Sequence, residues 1–161
     1  MNFEKLFDLQ HELDGKISVQ YDPDSRSLRQ DRLLALHVKI AELANETKCF
    51  KYWSDQKVSP LQKILDKYTD CIYFLLSMGS ERGLTFDELT AKKVEYSLTD
   101  QFLNLYIDLN DFIVCSSEDQ YLTLFEDFLS LGLSLGFSEK DIENTYILRY
   151  NINDICNATN Y

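Results

Sequence analysis

Glycine and proline are scarce, five and two residues in 161, which argues against an all-β design needing many tight turns. The four cysteines, Cys49, Cys71, Cys115 and Cys156, are widely separated and form no C-x-x-C pair. That spacing argues against a zinc site or a disulfide scaffold and for reduced thiols. No stretch approaches the roughly 18 apolar residues of a membrane helix. The start, MNFEKLFDLQHELDGKI, is charged throughout and lacks the apolar core of a signal segment. These features point to the cytoplasm and away from membranes. Positive charge is short too: 16 Lys and Arg stand against 27 Asp and Glu, a formal charge of -11. So acidic a chain is repelled by phosphate backbones, which argues against nucleic-acid binding as its main business. Handling a nucleotide would require local basic groups or metal ions.

What is present is an apolar fraction of 45% and an aromatic fraction of 13%, enough to bury a core and consistent with one domain over residues 1–161. Apolar residues recur at helical spacing. A first helix is expected over about Asn2–Ile17, with Asn2 as its cap and Phe3, Leu6, Phe7, Leu13 and Ile17 inward, ended by the turn-rich QYDPDSRS. The longest pattern runs over about Leu28–Trp53, on a stripe of Leu33, Leu36, Ile40, Leu43, Ala44 and Phe50. Ser59-Pro60 reads as a cap followed by a first-turn proline, opening a helix through Leu61, Ile64, Leu65, Tyr68, Ile72 and Leu75 that breaks between Met78 and Gly83. Capping-box spacing at Thr85–Glu88 predicts a short helix over Phe86–Val94. A further helix starts at Thr99 or Asp100, with Phe102, Leu103, Tyr106, Leu109 and Ile113 inward. Ser117 and Ser138 open the last two. The segment YLTLFEDFLSLGLSLGF is apolar nearly all round and suggests an oligomer interface, and a polar tail follows from about Asn151. The expected architecture is an all-α bundle of five to six helices.

The centre of interest is the facing pair formed by LLALHVKIAELANETKCFKYW and SPLQKILDKYTDCIYFLLSMG. Glu42 and Glu46 on the first and Asp70 on the second lie among Ile40, Leu43, Ile72 and Leu75. A divalent ion between helices needs several converging carboxylates, because Mg²⁺ prefers hard oxygen ligands. Lys39 and Lys67 each stand three residues before an acid, on the same helix face, so the pattern looks like a metal site with half its ligands replaced.

The strings ALHVKIAELANETKCFKYWS and ILDKYTDCIYFLLSMG resemble the dimeric all-α dUTPases, relatives of the MazG-type nucleotide pyrophosphohydrolases. LQHELDGKI is similar to that family's Gln-x-x-Leu-Asp pattern, and LSLGLSLGFSEKDIENTY extends the resemblance over most of the chain. The string ELANE-x-x-x-FK-x-W is its most specific part. The resemblance implies hydrolysis of dUTP to dUMP and pyrophosphate by a homodimer, with Mg²⁺ held by E-x-x-E on one helix and E-x-x-D on the next. It assigns metal ligation to Glu42, Asp70 and Glu46, with Glu46 also orienting the attacking water. Nucleotide contacts are implied at Gln10, Asp14, Asn45, Lys51, Trp53, Phe74 and Asn151. The structural alternatives are core packing for Trp53 and Phe74, a solvated charge for Lys51, and capping or surface roles for Gln10, Asp14 and Asn45.

The departures fall on the chemistry. Lys39 and Lys67 occupy two of the family's metal-ligand positions, Tyr73 stands where histidine is expected, and the basic C-terminal pattern is here RYNINDICNATNY, with Arg149 the remaining candidate cation. Replacing two of four clustered carboxylates by ammonium groups takes a charge near -4 to near zero. Lys39 could then pair with Asp70 and Lys67 with Glu42. Three readings follow: a dUTPase dependent on Mg²⁺, a silent homologue without metal that binds a deoxyuridine nucleotide or a regulatory protein, and an interaction module unrelated to the pocket.

Overall fold

A computed structural model describes the backbone of residues 1–18 and 26–159 and the side chains of residues 1–16 and 29–152. Among the described residues there are six helices and no strand: α1 (Phe3–Ser18), α2 (Arg26–Thr47), α3 (Leu61–Arg82), α4 (Leu98–Cys115), α5 (Glu118–Ser134) and α6 (Glu139–Thr159). Residues 20–25 of the turn QYDPDSRS and the side chains of Ile17, Leu28 and Cys156 fall outside the described residues, while the backbone of Arg26 and Ser27 opens α2. No helix among those described is long and apolar enough to cross a membrane.

Helix α3 is the hub, packed against α1, α2, α5 and α6, while α4 pairs with α5 and α2. Its core face, Ile64, Leu65, Tyr68, Ile72, Leu75 and Leu76, meets Leu36, Ile40 and Leu43 of α2 and Leu124, Phe125 and Phe128 of α5 in one cluster. Two buried tyrosines rivet α3 to α5. The Tyr68 hydroxyl donates to the Phe128 carbonyl at 3.0 Å and the Tyr121 hydroxyl to the Leu75 carbonyl at 2.9 Å. Each hydroxyl meets a glycine on the facing helix. A Cβ on Gly132 would lie 2.5 Å from the Tyr68 oxygen, and one on Gly79 would clash with Tyr121 and lie 2.7 Å from the Leu84 carbonyl.

Caps account for several boundaries. Asn2 accepts from the Lys5 amide, Ser97 from that of Asp100 and Ser117 from that of Gln120. Ser138 and Asp141 bond reciprocally at the start of α6. Helix α4 therefore starts one turn position ahead of Thr99. Helix α2 stops at Thr47 rather than Trp53, because Lys48 takes a left-handed φ of 58° and the Thr47 hydroxyl accepts from the Cys49 amide. Pro60, not Ser59, caps α3, since the Ser59 hydroxyl is donated to Glu46. Helix α3 runs through Gly79 to end at Gly83, whose φ of 67° glycine tolerates. Helix α6 continues past Asn151 to Thr159.

The helix expected over Phe86–Val94 is absent; residues 84–97 are irregular. Phe86 instead plugs a cluster of Phe3, Phe7, Phe125 and Tyr121, and the Lys92 amide bonds Ser130 at 2.9 Å. Tertiary burial overrides the local capping signal. The apolar surplus of LFEDFLSLGLSLGF also lies inside the protomer, with Leu124, Phe125, Phe128, Leu129 and Leu131 buried. Leu133 of that segment is exposed, and so are Phe50, Leu61, Leu103 and Ile113, all four expected inward.

Candidate functional site

Helices α2 and α3 run antiparallel, so residues spaced by three and four on one oppose residues so spaced on the other. The result is a charged seam. Near one end Lys63 Nζ lies 3.0 Å from Glu46 Oε2. One turn on, Lys67 Nζ lies 2.7 Å from Glu42 Oε2, and the same oxygen is 3.2 Å from Lys39 Nζ. Lys39 Nζ is also 3.7 Å from Asp70 Oδ2. Both cross-helix pairings expected from the sequence, Lys67 with Glu42 and Lys39 with Asp70, are formed. Arg149 reaches in from α6 and donates to Asp70 Oδ1, with Asp66 4.0 Å away. Farther along, Arg29 and Arg32 clamp Glu81 at 2.6 and 2.9 Å.

These contacts fix the charge states. The hydrogen bond from Lys67, then that from Lys39, holds the Glu42 carboxyl below its ordinary range. Glu42 in turn raises the Lys67 ammonium. Glu46 is held down first by the Ser59 hydroxyl and then by Lys63. The seam is a ladder of charged acids and charged bases.

The donor set does not fit a divalent ion. Mg²⁺ needs carboxylate oxygens with lone pairs turned to the metal. Here Glu42 faces two ammonium groups, Asp70 faces one ammonium and one guanidinium, and Glu46 is committed to Ser59 and Lys63. A protonated lysine has no lone pair to give. Among the described residues no three His, Cys, Asp or Glu side chains are grouped so as to hold a metal ion.

Beside Asp70 opens a cavity of about 220 Å³. Its charged lining residues are Lys39, Asp70 and Arg149, and its rings are those of Tyr73, Phe74, Tyr146 and Tyr150. Behind it lies a buried polar relay. Gln10 is 0% exposed, donates to Asp14 at 2.9 Å and accepts from the Tyr146 hydroxyl at 2.6 Å. Burial raises the Asp14 carboxyl, against hydrogen bonds from Ser77 and Gln10 and the nearby Arg32. Burial and then the charge of Asp14 push the Tyr73 hydroxyl up to about 12. Tyr146 and Arg149, three apart on α6, thus cover Gln10 and Asp70 together.

Of the residues singled out in the sequence, Lys39, Asp70 and Phe74 line the cavity, and Gln10 and Asp14 back it. Glu42 and Glu46 belong to the seam. Asn45, Lys51, Trp53 and Asn151 are not in the lining. Asn45 and Asn151 are exposed, Lys51 sits 5.9 Å over the Phe50 ring, and Trp53, 63% exposed, packs edge-on against Phe50 and Tyr52. Neither Tyr146 nor Tyr150 was singled out in the sequence. The available signal was the spacing Tyr146, Arg149, Tyr150, which puts all three on one helix face.

Among the described residues, then, the chain is an all-α bundle of six helices with a charged seam between two antiparallel helices and a ring-lined cavity at its side. The chain belongs to the all-helical dimeric dUTPase family: the profile of the family described as dUTPase matches residues 2–161. None of the curated proteins compared matches it.

Proposed function

We propose that this chain is a dUTPase-family protein that has lost turnover of dUTP while keeping a pocket for a deoxyuridine nucleotide. The observation that carries the reading is the occupation of Glu42 Oε2 by both Lys67 and Lys39, at 2.7 and 3.2 Å. Two ammonium groups at that carboxylate repel a divalent ion from it. The test is pyrophosphate release from dUTP, with and without Mg²⁺, beside a Lys39→Glu, Lys67→Glu double variant. Silence in the native chain and metal-dependent release in the double variant are expected. Turnover by the native chain that EDTA abolishes would overturn the reading.

A second reading, association with a protein partner, is supported by exposed apolar surface. Leu34 and Val38 of α2 and Leu103, Ile107 and Val114 of α4 are exposed. Ala41 and Ala44 of α2 and Leu103 and Tyr106 of α4 share an apolar groove. A second copy of the chain is the partner we favour, in keeping with the family, and a regulatory protein seated on the same face is the alternative. Light scattering should give a dimer mass for the native chain and a monomer mass for Leu103→Lys, Ile107→Lys. A native monomer would remove self-association.

A further inference from the structure

In a chain with a formal charge of -11, the cavity beside Asp70 carries two cations and one carboxylate in its lining. Neither cation is exhausted by its partners. A guanidinium has five N–H donors and an ammonium three. The described contacts of Arg149 are Asp70 and Asp66, and those of Lys39 are Glu42 and Asp70 at 3.2 and 3.7 Å. The same lining carries the rings of Tyr73, Phe74, Tyr146 and Tyr150, on which a planar heterocycle stacks. At about 220 Å³ the space falls below the roughly 300 Å³ where ordinary ligand pockets begin. It suits one ring system with a short anionic group, not a chain of three phosphates.

We infer that this cavity binds a nucleoside monophosphate without any divalent ion, its phosphate on Lys39 and Arg149 and its base among Tyr73, Phe74 and Tyr146. The inference rests on the reading that the pocket still takes a nucleotide, and adds which one and how. Charge decides the choice of phosphate. With two cations against one carboxylate in the lining, a monophosphate dianion adds less uncompensated negative charge than a triphosphate, which meets Asp70, Asp66 and Glu42 with no metal to offset it. Asp70 therefore opposes the ligand, where in a metal-dependent site it would help to hold it. The sign of its effect separates the two arrangements.

The experiment is calorimetric titration of the native chain with dUMP in EDTA, repeated with Mg²⁺ and with dUTP, deoxyuridine and inorganic phosphate. Saturable dUMP binding in EDTA is expected, unchanged by Mg²⁺ and tighter than that of the other three. Lys39→Gln and Arg149→Gln should each weaken it by about tenfold or more, the scale of one charge-assisted hydrogen bond. Asp70→Asn should tighten it several-fold. Should the Arg149 variant fail to fold, the Asp70 variant, which keeps both cations, still reads the sign. No dUMP binding in EDTA, binding that appears only with Mg²⁺, or weaker binding by Asp70→Asn would each overturn the inference. Metal-dependent turnover of dUTP would instead overturn the reading of lost activity, and the two failures are read in separate assays.

Discussion

Lys67 and Glu42, 25 residues apart in the chain, meet at 2.7 Å across the α2–α3 seam, at two positions where the family resemblance implies two glutamates sharing a metal. The pair is half-exposed on both sides, so it contributes little to stability by itself. Lys67→Ala should cost less than about 1 kcal/mol in denaturant unfolding, the range of partly solvated ion pairs. A loss several times larger would mean that the seam is a main prop of the bundle.

Restoring carboxylates to the seam should behave differently. In the Lys39→Glu, Lys67→Glu variant four acids face one another with Arg149 on Asp70 as their counter-charge, which destabilises the folded chain. Its melting temperature should fall in EDTA and recover with added Mg²⁺, while the native chain responds to neither. A variant indifferent to Mg²⁺ would show that Arg149, held on Asp70, also closes the site to metal.

The same pair predicts a pH window. Glu42 is held below its ordinary value of 4.5, so its contribution is present above that pH and lost as pH falls through the lowered value. Lys67 is raised above 10.5, so its contribution is present below that pH and lost as pH rises through the raised value. The stability difference between the native chain and a Lys67→Met variant should be flat between these limits and shrink beyond both. A difference that varies through neutral pH would point to another group.

Asp108 supplies such a group for the native chain. Burial, then the neighbouring Asp127, pushes its carboxyl up to about 7, and its Oδ2 is buried with no other partner among the described residues. Two ionised carboxylates have no hydrogen to share; a proton on Asp108 supplies one to Asp127. Because the folded value lies above the unfolded one, the native chain loses stability as pH rises from about 4 to about 7. Asp108→Asn should flatten that slope and raise stability at pH 8. An unchanged slope would exclude this pair as its source.

Gly132→Ala places a methyl group 2.5 Å from the Tyr68 hydroxyl and should destabilise by about 1–3 kcal/mol, as overpacking does. Tyr68→Phe removes the oxygen in the way and should recover part of that loss in a double-mutant cycle. Strict additivity would mean that the two helices shift apart instead.

Much of this was legible in the residues. Period-3.6 apolar spacing gave the long helices, and Ser117 and Ser138 marked two starts, because those signals are local. The Lys39–Asp70 and Lys67–Glu42 pairings were legible because side chains three apart on each of two antiparallel helices must oppose one another. What local signals miss is long-range competition. Phe86 is drawn into the core from a segment with a good capping box, and Ser59 gives its hydroxyl to Glu46 instead of capping α3. The resemblance singled out Gln10, but only the fold shows that it is buried and that Tyr146, 136 residues away, already holds its amide oxygen.

The tyrosine rivets and the charged seam use different faces of the same helix, α3. What gives the bundle its shape is thus kept apart from what would give it chemistry. Exchanging two seam residues can silence a reaction without loosening a single rivet. A profile fitted to the whole chain weighs the bundle more than any two seam positions, so the pair facing each other at 39 and 67 is where a reader of related sequences should look first.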